Sequence, residues 1–118
     1  METRELIVDG VHVVALGGDI DMEVSPDLRL LLAGHTEAQR RALVLDFSEV
    51  NYVDSSGLAT LIEYVRNAQP FQGKLALANL SERVRTVFEL VRLDEFLPIH
   101  HTVADAAASF AGASPPTA

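Results

Sequence analysis

The chain has 118 residues, 48% hydrophobic and 22% charged, with 17 acidic against 9 basic side chains and a formal net charge of −8. That length suits one domain around one core, and the acidic balance argues against nucleic acid or anionic lipid as a direct ligand. Cysteine is absent, which excludes disulfides, thiolate catalysis and zinc–thiolate sites.

The amino terminus, Met1-Glu2-Thr3-Arg4-Glu5, lacks the apolar stretch of a signal peptide, and no apolar run is long enough to cross a bilayer. The expectation is a small acidic domain of the cytoplasm. Leu6-Ile7-Val8, Asp9-Gly10 and Val11 to Leu16 predict a β-hairpin, because Asp-Gly supplies the positive backbone angles of a two-residue turn. Gly17-Gly18-Asp19-Ile20-Asp21 reads as an acidic loop. Ser25-Pro26 predicts a helix start with Ser25 as cap, and Leu28, Leu31, Leu32 and the stem of His35 form its buried stripe.

The run from Ala42 to Phe47 holds Leu43-Val44-Leu45, as expected of an internal parallel strand covered on both faces. A helix with Leu58, Leu61, Ile62 and Val65 on its apolar side follows and closes near Pro70 and Gly73. Lys74 to Ala78 is the next strand. Ser81 caps a third helix whose apolar positions are Val84, Val87, Phe88 and Val91. A short strand is expected around Phe96 to Ile99. Thr102-Val103-Ala104-Asp105 then resembles a capping box opening an alanine-rich helix anchored by Phe110. Residues 1–112 form the domain, and 113–118, with Pro115-Pro116, read as a flexible tail. A hairpin followed by alternating helices and strands predicts an α/β fold: a mixed four- to five-stranded sheet with helices packed on it.

Asp54-Ser55-Ser56-Gly57 is the most informative stretch. It lies between a strand and a helix, where backbone N–H groups lack intrahelical partners and the helix dipole favours negative charge. Asp54 or Ser55 acting as a plain helix cap is one reading. A regulatory phosphoserine is the other, since the turn looks able to hold a phosphate. Asp19 and Asp21 read either as a solvated turn or, if strand order sets them beside Asp54, as part of a carboxylate cluster. That cluster would face a basic partner or help hold a kinase's magnesium.

Catalysis is not expected. A serine hydrolase needs a base and an oxyanion hole, and Val53-Asp54 stands where the G-x-S-x-G elbow has glycine. No pattern ties His12, His35, His100 or His101 to either serine. The His100-His101 pair is no metal motif, because neighbours on a strand point to opposite faces. Phosphate-cradling glycine motifs are absent. No cofactor is expected.

Gly18-Asp19-Ile20-Asp21 resembles the G-E-L-D loop of STAS domains, and Val53-Asp54-Ser55-Ser56-Gly57-Leu58 resembles their (M/V)-D-S-(S/T)-G-L signature. The similarity runs from about Arg4 to Phe110 and lies nearest the stand-alone anti-sigma factor antagonists of bacteria. The resemblance implies a partner switch. The unphosphorylated antagonist binds an anti-sigma factor that is also a serine kinase of the GHKL type, and so frees a sigma factor. Phosphorylation on the first serine after the aspartate, Ser55 here, switches it off, and a serine phosphatase restores it. Asp54 is implied to shape the site, Asp19 and Asp21 to face the kinase, and Ser56 and Gly57 to start the helix. Asp19 departs from the family's usual glutamate, keeping the charge with a shorter reach. Some similar domains instead regulate the ATPase of lipid-transport ABC systems. Self-association is left open.

Overall fold

A computed structural model describes residues 1–110 of the chain. The expected domain end at 112 and the tail at 113–118 lie outside the described residues. Five strands form one sheet in the order β1-β2-β3-β4-β5: β1 (Glu2–Val8), β2 (Val11–Gly17), β3 (Ala42–Glu49), β4 (Lys74–Ala78) and β5 (Ile99–His100). The first two pair antiparallel, and every later neighbour is parallel. Four helices connect or follow the strands: α1 (Ser25–Glu37), α2 (Ser55–Ala68), α3 (Glu82–Leu90) and α4 (Val103–Ala108).

The alternation of strand side chains divides the interior into two layers. Val14, Leu16, Leu43, Leu45, Phe47, Leu75 and Leu77 meet Leu28 and Leu32 of α1, Leu61 and Tyr64 of α2, and Val84 and Phe88 of α3. The rings of Phe47 and Phe88 stand edge to face, 6.1 Å apart. On the other face Val11, Val13, Val44, Ala76 and Ala78 meet Ala106 and Ala107 of α4, with Phe110 packed alongside. The small alanines let this short helix lie close to the strands. Leu43-Val44-Leu45 is therefore buried on both sides, as its unbroken apolar run predicts.

Local signals are realised where they are self-contained. Asp9 and Gly10 both have positive φ (52° and 80°), as a type I′ hairpin turn requires. Ser81 accepts a hydrogen bond from the Val84 N–H, and Thr102 accepts one from Asp105.

Several expectations are corrected. The first strand starts at Glu2, four residues before Leu6, because Glu2 to Glu5 extend the antiparallel pairing onto Val14 to Gly17 of β2. Leu6 and Ile7 stay exposed on this edge strand. Ser25 does not cap α1. Val24 is already helical in its backbone, so Ser25 lies inside the first turn, and Asp21 supplies the side-chain acceptor for Glu23 and Val24. Ile62 is exposed at the side of α2, whereas Tyr64 is buried. Val91 falls beyond α3 and is exposed, since the chain turns away through a left-handed Arg92 (φ 62°). Phe96 is 70% exposed and ends a 3-10 turn, so the last strand begins only at Ile99.

Candidate functional site

Because β2 and β3 run parallel side by side, the loops leaving their carboxyl ends emerge together, where open α/β sheets carry their sites. Backbone bonds join them. The Gly18 N–H donates to the Glu49 carbonyl (3.0 Å), Ile20 to Tyr52 (2.8 Å), and Asp54 to Ile20 (3.0 Å), with a parallel bridge between Ile20 and Val53. The Gly18–Asp21 loop thus lies beside the Asp54 turn. Ile20 is buried, so Asp19 and Asp21 project from a fixed point and Asp19 is exposed.

Gly57 allows this closeness. A Cβ there would stand 2.7 Å from the Ile20 Cγ2 and 3.0 Å from the Val53 Cγ1. Any other residue would push one loop off the other.

Asp54 is the cap of α2. Its Oδ1 accepts from the Ser56 N–H (2.9 Å), the Gly57 N–H (3.2 Å) and the Ser56 hydroxyl (2.6 Å). These donors, led by the Ser56 hydroxyl, hold the Asp54 carboxyl below the usual carboxylate range. The expected anion cradle is therefore already filled. The N–H groups of Ser56 and Gly57 serve a carboxylate of the chain itself, so a phosphate on Ser55 would meet a negative neighbour there.

The two adjacent serines differ in what surrounds them. Ser56 is half-buried, and its Oγ lies 2.7 Å from the Oγ of Ser25, which itself donates to the Asp21 carbonyl at 2.9 Å. Two hydroxyl protons serve three short contacts along the row from Asp54 through Ser56 and Ser25 to Asp21, so one of the three is always an oxygen–oxygen contact without a proton. Ser55 is exposed, and its hydroxyl makes no hydrogen bond among the described residues. Met22, 75% exposed, and Tyr52, 47% exposed, add apolar surface on the two loops.

Asp19, Asp21, Asp54, Ser55, Ser56 and Gly57 thus share one end of the molecule. Residues 5–106 match the STAS domain family. The chain belongs to that family.

This STAS domain is 30% identical over 108 residues to BtrV of Bordetella bronchiseptica, provisionally named an anti-sigma factor antagonist, an alignment covering 92% of this chain and 93% of BtrV. Its fold superposes on an anti-sigma factor antagonist from Mycobacterium paratuberculosis with a TM-score of 0.83 at 29% identity, covering 92% of each chain. The phosphorylated form of the Bacillus cell-fate determinant SpoIIAA shares the fold at a TM-score of 0.70 and 19% identity, over 92% of this chain and 98% of that one.

The carboxylates of the STAS site do not form a cation cage: no group of three or more acidic or histidine side chains among the described residues could hold a metal. Asp21 and Asp54 turn their oxygens onto backbone N–H groups instead. From the sequence Ser25 is expected only as a helix cap and not as part of this site, and Met22 and Tyr52 are not expected there at all. Met22, an apolar residue inside an acidic loop, carries a visible signal. Ser25 carries none, since its partner lies 31 residues away. Among the described residues, no helix is long and apolar enough to cross a membrane.

Proposed function

We propose that this STAS domain is an anti-sigma factor antagonist of the cytoplasm that binds an anti-sigma factor serine kinase while unphosphorylated, releases a sigma factor, and is switched off by phosphorylation of Ser55. It regulates by binding and catalyses nothing itself. The observation that carries the proposal is the contrast between the two serines: Ser55 is exposed with an unengaged hydroxyl, while Ser56 is held by Asp54 and Ser25. A kinase of the GHKL type would reach only the first without opening the fold.

The direction of the switch follows from charge. A phosphate adds about 1.5–2 negative charges. At the first position of α2 the dipole tolerates it, but the carboxylate of Asp54 has taken the nearest N–H donors. The new charge is left facing outward, among Asp19, Asp21 and Asp54. Covering it with a partner surface arranged for a neutral hydroxyl costs several kcal/mol. Met22 and Tyr52 offer apolar contact beside the serine, and the carboxylates suit a basic partner face. A serine phosphatase reverses the modification.

The test is a pull-down with unphosphorylated protein and with Ser55→Glu as baits, followed by incubation of the captured kinase with ATP and mapping of the phosphate. Capture of a serine kinase by wild type and far less by the variant, with phosphate on Ser55, is the expected result. Capture of a lipid-transport ATPase by both baits, or phosphate on Ser56, would overturn the proposal.

A further inference from the structure

At the end of the sheet away from Ser55, the hairpin tip at Asp9-Gly10 meets the two turns that lead into β3 and β4. Together they bound an open cleft of about 820 Å³, within the range of roughly 300–1,000 Å³ usual for small-molecule sites. Arg40, Arg41 and Lys74 line it, with His12 beside them. The chain has only nine lysines and arginines and a net charge of −8, so three in one cleft is a concentration against the overall field. Asp9 is the single carboxylate among the described lining residues.

Among the described residues these cations form no ion pairs. The ion pairs among the described residues involve Arg29, His35, Arg85 and Arg92, and none involves Arg40, Arg41 or Lys74. The Nε of Arg40 is buried with no hydrogen-bond partner. That nitrogen has no exposed surface, so it lies out of reach of a ligand in the open cleft, which would meet Arg41 and Lys74 first. The walls are also fixed. The Arg41 guanidinium donates to the Gln72 side-chain oxygen at 3.3 Å, tying the two turns together. A Cβ on Gly73 would stand 2.9 Å from the Arg40 carbonyl oxygen, so the turns are packed against each other.

We propose that this cleft binds a small molecule carrying two or more phosphate groups. Guanidinium forks match phosphate oxygens in paired hydrogen bonds, and an ammonium adds a compact point charge. Three cations with one carboxylate leave an excess of positive charge that a single monoanion would not balance. Because the cleft and Ser55 lie at opposite ends of the sheet, the ligand occupies a surface separate from the phosphorylation turn.

Isothermal titration of the full chain at low salt with tripolyphosphate and with ATP tests this. Wild type should show saturable one-to-one binding, weakened at least tenfold by Arg41→Gln with Lys74→Gln and unchanged by Arg83→Gln with Arg92→Gln, which lie outside the cleft. Equal affinity for the two probes would assign recognition to the phosphates alone, and tighter binding of ATP would add contacts from its base or sugar. Amide shift mapping on wild type should localise binding to residues 38–42 and 72–74. No saturable binding, equal weakening by both double variants, or shifts centred on Ser55 would overturn the proposal.

Discussion

Of the two neighbouring serines in the turn, only Ser56 is committed to the fold. Replacing Ser56 by Ala removes the hydroxyl that bridges Asp54 and Ser25, a loss of about 1 kcal/mol as for an ordinary hydrogen bond. Urea denaturation should register that loss while intact-mass analysis still finds one phosphate added by the kinase. Ser55→Ala should do the reverse, keeping stability and partner binding and accepting no phosphate. At His35, burial pushes the imidazole pKa below its ordinary 6.5, outweighing the Glu5 carboxylate 3.7 Å away, with Arg40 and His12 adding to the depression. The unfolded chain then binds the proton more readily, so stability is full above about pH 6.5 and falls as the pH drops from there to the folded-state pKa. Urea midpoints across pH 5–8 should show this slope, and His35→Phe should flatten it. The Asp54 cap was legible because a cap needs only its own next three residues. The contact between Ser56 and Ser25 was not, because sequence carries no sign of which helix starts will meet.

At the scale of elements, two loops are held as one surface by the closeness that Gly57 permits. Gly57→Ala places a methyl group against the Ile20 and Val53 side chains and should destabilise by about 1–3 kcal/mol, measured by urea unfolding. The same variant should lose partner affinity beyond its loss of stability, since the Asp19–Asp21 loop must move. Phe88→Ala, on the buried side of α3 against Phe47, should cost about 3–5 kcal/mol while leaving the Ser55 turn able to accept phosphate. The hairpin turn and the Ser81 and Thr102 caps were readable because each is a local contract between a few residues. The start of α1 was misread for a related reason: Ser25-Pro26 carries a cap pattern, but Asp21 four residues earlier had already engaged the turn. The strand expected around Phe96 to Ile99 is present but starts late, because a short apolar run does not say which of its residues pair and which turn. Here the pairing partner of β4 begins only at Ile99.

For the whole molecule, the sheet order decides what the motifs can do together. The sequence contained both the Gly18–Asp21 loop and the Asp54 turn, and the resemblance to STAS domains linked them. Their contact rests on β2 and β3 being parallel neighbours, a tertiary fact that no local pattern encodes. The result is a domain with two unlike ends. One presents Ser55 among carboxylates and exposed Met22 and Tyr52, and the other gathers Arg40, Arg41 and Lys74. The proposed switch needs no change of shape, because phosphorylation of Ser55 would add charge alone to a preformed surface. The most direct measurement is the affinity of the purified anti-sigma factor kinase for the unphosphorylated protein and for protein fully phosphorylated on Ser55. Phosphorylation should lower the affinity at least a hundredfold, with the fold unchanged by circular dichroism. Equal affinity of the two forms would contradict the proposed switch.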